Sequence, residues 1–151
     1  MMRFLIFWNK CKNCDHAFNT LSDPGRYDLR LLLSEKTHQP AIVKVDADPA
    51  FSECYRIVQE YFKPKGYTAL KTAKSFNAVF GKICERAPDG SIYNMTGKPR
   101  CQNCGSYDMS FGPYEPAVYE DHDPPEVSHK IWDNMHREEK EKLIKDLLGD
   151  L

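Results

Sequence analysis

The chain has 151 residues, 41% hydrophobic and 28% charged, with 21 basic and 22 acidic side chains and a net charge of −1. That size and mix suit one globular domain with a real core, and they speak against general disorder and against a dedicated nucleic-acid binder, which carries a clear basic excess. No apolar run reaches membrane-spanning length, and the apolar start Phe4 to Trp8 is too short for a signal peptide, so a cytoplasmic protein without membrane contact is expected.

In chain order, Phe4 to Trp8 reads as a buried strand that runs directly into Cys11-Lys12-Asn13-Cys14. Asp23-Pro24-Gly25 marks a turn, after which Tyr27, Leu29, Leu31 and Leu33 alternate as in a strand, with a helix the alternative that Leu32 and the leucine richness leave open. Ala41 to Val45 is β-branched and is a further strand. Asp48-Pro49 is a helix start, since Asp48 can cap and Pro49 fits the first helical position. Phe51, Cys54, Tyr55, Val58, Tyr61 and Phe62 then form one apolar face, and Pro64 with Gly66 ends that helix. A second helix is expected over Thr68 to Ala78. Val79 to Arg86 and Ser91 to Met95 read as a hairpin about Pro88-Asp89-Gly90. Cys101-Gln102-Asn103-Cys104-Gly105 opens an aromatic, proline-rich stretch that is expected to be irregular as far as Pro125. A helical tail follows from Glu126, broken near Asn134 to Arg137 and stopped at Gly149.

The two Cys-x-x-Cys pairs dominate the chemistry. In a reducing compartment disulfides are rare, so paired cysteines point to metal or redox chemistry. Cys11, Cys14, Cys101 and Cys104 supply the four thiolates of a tetrahedral Zn²⁺ site, two from each short loop. Neither pair clearly opens a helix, which disfavours a dithiol switch with a depressed thiol pKa; an iron–sulfur centre is the smaller alternative. Four thiolates leave no open position, so such a zinc is structural and His16 is not needed as a ligand. Cys54 and Cys84 read as small core residues, Cys84 within a strand. His122, His129 and His136 are seven apart, too far along a helix to share a metal, and no other local motif proposes a catalytic set.

The second pair, followed by Gly105, resembles the knuckle of zinc-ribbon proteins. The first resembles it too, with Asp15 where the glycine would stand, a residue that tolerates left-handed backbone better than most. The resemblance covers only the two knuckles and implies a clasp joining the N-terminal strand to a late hairpin. The expected fold is therefore α+β: a single domain over 1–151, with a mixed or antiparallel sheet and two to three helices. Residues 4–16 and 91–106 are the ribbon halves, 17–90 an inserted α/β portion, and 126–149 a C-terminal helical segment.

Charge is segregated. Lys63, Lys65, Lys71, Lys74, Lys82 and Arg86 face one acid, Glu85, within residues 63–86. Glu115, Glu120, Asp121, Asp123 and Glu126 fall in a stretch without Lys or Arg. With no catalytic set, the acidic stretch points to a protein-binding, non-enzymatic module, and the overall look is similar to small bacterial immunity proteins that neutralise toxins. Two alternatives stand beside it. One is a nucleic-acid-binding ribbon contacting its ligand through the basic segment with Tyr67, Phe76 and Phe80; the other is a dithiol oxidoreductase.

Overall fold

The computed structural model describes every residue from Met1 to Leu151. Strand β1 (Met2–Cys11) is the axis of the first sheet. Strand β2 (Ala17–Leu21) pairs along one side of it, from Ile6 to Lys10. Strand β6 (Met109–Pro113) pairs along the other side from Phe7 to Cys11, and β7 (Tyr119–His122) continues that side from Met2 to Leu5. A second sheet runs β4 (Pro40–Lys44), β3 (Leu29–Ser34), β5 (Tyr93–Asn94). Both sheets are antiparallel, and with four α-helices they make an α+β single domain.

Helix α1 (Pro49–Phe62) begins as its sequence dictates: the Asp48 carboxylate accepts the Ala50 N–H at 3.0 Å and Pro49 takes the first turn. Its Cys54, Ile57, Val58 and Phe62 are buried. Helix α2 (Ala69–Ile83) is capped by Thr68, whose Oγ1 accepts the Lys71 N–H. It overturns the expected hairpin, because α2 continues through Val79, Phe80 and Ile83 to a C-cap at Cys84. A short apolar run cannot distinguish a strand from a buried helical turn, and here Phe76, Val79, Phe80 and Ile83 share one core face. Cys84 is thus buried at a helix end rather than in a strand, its Sγ 3.5 Å from the Phe80 carbonyl. Gly81 permits this path, since a Cβ there would lie 2.0 Å from the Tyr93 carbonyl oxygen. Phe51 meets Phe76 and Phe80 edge-on at 4.9 and 5.2 Å, and Tyr55 meets Phe76 at 4.9 Å; each such pair adds about 1 kcal/mol beyond its buried area.

The tail breaks where its apolar stripe breaks, between α3 (Lys130–Asp133) and α4 (Arg137–Gly149). Trp132, Ile144 and Leu148 are buried in the core shared with α1 and α2. His129 fixes the tail's entry: Nε2 donates to Asp48 at 2.8 Å and Nδ1 to Asp133 at 2.9 Å. Two carboxylate partners favour the imidazolium, and although burial opposes the charge, they raise the His129 pKa. Glu53 accepts from Trp132 Nε1 at 2.9 Å and from Lys140 Nζ at 2.7 Å.

Residues 105–125 are likewise more regular than expected, carrying β6 and β7. Their prolines fall at the end of β6 (Pro113), between the strands (Pro116) and after β7 (Pro124, Pro125), where no ladder N–H is required. The cysteine clasp therefore joins β1 to the turn that feeds β6, and no hairpin precedes that turn. No helix is long and apolar enough to cross a membrane.

Candidate metal centre

The first Cys-x-x-Cys is the turn of the β1–β2 hairpin; the second lies immediately before β6. The two turns are built alike. The Cys11 N–H donates to the His16 carbonyl and the Asp15 N–H to the Cys11 carbonyl, both at 2.9 Å. In the second turn the Cys101 N–H donates to Ser106 at 2.7 Å and the Gly105 N–H to Cys101 at 2.9 Å. Asp15 and Gly105 occupy the matching positions with φ of +64° and +80°. Asp15 therefore adopts the left-handed conformation that glycine adopts in the other turn.

Pairing of β1 with β6, Cys11 opposite Met109, brings the turns face to face. The four sulfurs lie within 4.8 Å of one another; Cys11 Sγ is 3.5 Å from Cys104 Sγ, and Cys14 Sγ is 3.6 Å from Cys101 Sγ. A zinc with four sulfurs at about 2.3 Å has sulfur–sulfur edges of about 3.8 Å. The cluster therefore has the dimensions of a tetrahedral thiolate site, and all four cysteines are free thiols. The sequence-predicted ligands, 87 positions apart between Cys14 and Cys101, are brought together.

The outer groups repeat the symmetry. Asn103 Nδ2 donates to Cys14 Sγ at 3.4 Å, and the Asn13 side chain bonds Cys104. Cys11 and Cys101 are buried with Met109, while Cys14 is half-buried and Cys104 exposed. Burial pushes the Cys11 thiol up to about 11. The Asn13 side chain and the Ser106 backbone bring Cys104 down to about 6. Cys101 is also lowered: burial opposes its ionisation, but the backbone N–H groups of Cys104 and Asn103 outweigh it. The second turn thus favours thiolates, whereas burial holds Cys11 as a thiol, a cost that a divalent cation would offset. Lys10 and Lys12, beside the first knuckle, approach Asp15 and Asp108 at 4.0 and 3.8 Å.

A supporting residue left no trace in the cysteine pattern. His38, in the β3–β4 turn with φ of +59°, donates Nε2–H to the Arg100 carbonyl at 2.7 Å. Its ring stacks on Phe18 at 4.8 Å, and Phe18 packs on the cysteine cluster. Burial lowers the His38 pKa, which keeps the ring neutral. That turn is in turn held by Asp89, which accepts from Ser34, Thr37 and Ser91.

The other sequence candidates lie elsewhere. Glu115, Glu120, Asp121, Asp123 and Glu126 are all exposed, in or flanking β7. Asp121 sits opposite Arg3 in the strand register, Glu120 bonds His122 at 3.0 Å, and Glu126 pairs with Lys44 at 3.5 Å. His122, His129 and His136 serve three separate local contacts, His136 as the α4 N-cap. In the basic segment, Phe76 and Phe80 are buried and offer no stacking surface, which corrects the expected nucleic-acid face; Tyr67 is exposed with Lys71 over its ring. Comparison with protein-family models, curated proteins and solved structures finds no match.

Proposed function

We propose that the chain is a non-enzymatic, cytoplasmic protein-binding module whose fold is clasped by one structural zinc in a ribbon-like pair of knuckles. The closed four-cysteine geometry supports the zinc half: every thiolate position is filled, which leaves no coordination site for substrate. The observation that carries the binding half is the β6–β7 edge. Both strands pair only with β1, so their outer edge is free. In this segment Phe111, Tyr114, Val118 and Tyr119 are exposed, near Glu115, Glu120 and Asp121 in sequence. Exposed aromatics supply contact energy, and acids select a basic partner and keep a free edge from self-pairing. A basic protein toxin, neutralised by a small immunity protein, is a partner class with that complementarity.

Affinity capture from the native host tests the reading. The wild-type chain is expected to retain a basic protein partner that is lost when Glu115, Glu120, Asp121, Asp123 and Glu126 are changed to Lys. Equal recovery by both proteins, or recovery by neither, refutes it.

A further inference from the structure

A second feature lies apart from the acidic edge and borders the second knuckle. A cavity of about 480 Å³ lies between α2, β5 and the segment leading to the second knuckle. Lys74, Asn77 and Lys82 face it from α2, Asn94 and Lys98 from the far wall, and Tyr107 from beyond Cys104. Positions 74, 78 and 82 are four apart, so they share one helix face. Lys74, Lys82 and Lys98 are exposed and form no ion pair. The single lining side-chain carboxylate, Glu35, is already engaged, accepting from Tyr107 Oη at 2.8 Å and from Asn94 Nδ2 at 3.1 Å, and Leu151 completes the rim. Three lysines without an ion-pair partner therefore line one concavity whose side-chain acid is turned to its wall. Ala78, Ile92 and the Tyr107 ring add apolar surface.

We infer that this cavity is a binding site for a small organic phosphate carrying a planar or apolar body, of the mononucleotide class. Lysine ammoniums are compact, mobile point charges suited to phosphate oxygens, and Asn77 adds a neutral hydrogen-bonding group. The volume lies in the range of small-molecule sites, and the junction between two structural layers is where such sites form. The wall is held in place because α2 touches the β5 backbone at Gly81.

Calorimetric titration of AMP into the zinc-loaded full chain at low salt, with inorganic phosphate titrated in parallel, tests the site. One saturable AMP site is expected, with phosphate at least tenfold weaker. Lys74→Gln, Lys82→Gln and Lys98→Gln should each weaken AMP about tenfold, as loss of one charged hydrogen bond does, while melting like the wild type. Lys145→Gln, exposed on α4 and outside the cavity, should leave the affinity unchanged. No saturable AMP binding, equal loss in Lys145→Gln, or phosphate binding as tightly as AMP would each overturn the inference.

Discussion

Replacing Asp89 with Asn should destabilise the protein well beyond an ordinary turn substitution. Asp89 Oδ2 accepts from Ser34 Oγ and Thr37 Oγ1 at 2.6 Å and from Thr37 N at 3.1 Å; Oδ1 accepts from Ser91 Oγ at 2.6 Å and Ser91 N at 2.9 Å. Burial works against the charge, but these donors outweigh it and hold the carboxyl far below the usual carboxylate range. An amide can present its oxygen to only one of the two donor groups. Its NH₂ then faces a backbone N–H, either Thr37 or Ser91, which is left without an acceptor. An orphaned donor costs about 1–3 kcal/mol, and the remaining bonds lose their charge assistance, so the total is about 3 kcal/mol. For a chain of this length that corresponds to about 6–12 °C in Tm. The pH dependence has a definite sign. A depressed folded pKa contributes stability that is complete above the unfolded value near about 4 and is lost as pH falls toward the folded value. Thermal melts of wild type and Asp89→Asn should therefore differ most at neutral pH, and the gap should narrow by up to about 1.4 kcal/mol per pH unit below pH 4. A gap under about 2 °C at pH 7, or one that does not change in acid, would refute the role given to this carboxylate.

His129→Gln should cost about 2 kcal/mol at pH 6 by denaturant titration, because it removes the charged bonds to Asp48 and Asp133. Since the His129 pKa is raised, that contribution is full below the unfolded value near about 6.5 and fades as pH rises through the folded value; a deficit that grows toward pH 9 would contradict it. Gly81→Ala should cost at least about 2 kcal/mol, because its Cβ would meet the Tyr93 carbonyl at 2.0 Å and backbone must move; a melt within 1 °C of wild type would contradict that contact. Asp15→Gly should raise stability by about 1 kcal/mol, since φ of +64° strains a residue with a Cβ, and a lower melting temperature would show that the aspartate contributes more than it strains.

What the sequence shows about this fold depends on how local the cause is. Asp48 and Pro49 begin α1 by chemistry within one turn, and the tail divides where its own apolar stripe stops. The four cysteines are legible because metal chemistry demands their spacing, and Asp15 adopts left-handed backbone as its position in the motif implies. Val79 to Ile83 misled because burial, not periodicity, decides between helix and strand over so few residues. Strands β6 and β7 are edge strands whose pairing with β1 is a long-range event; their own prolines argue against it locally. His38 supports the knuckles from a polar turn far away in sequence, and only the fold relates it to Arg100.

Metal content tests the central claim most directly. Purified wild-type protein should carry one zinc per chain by elemental analysis and resist thiol reagents at the four clustered cysteines, and Cys101→Ala should lose the metal together with cooperative unfolding. Full folding with no bound zinc, or Cys101→Ala that sheds zinc yet melts like the wild type, would contradict a structural clasp.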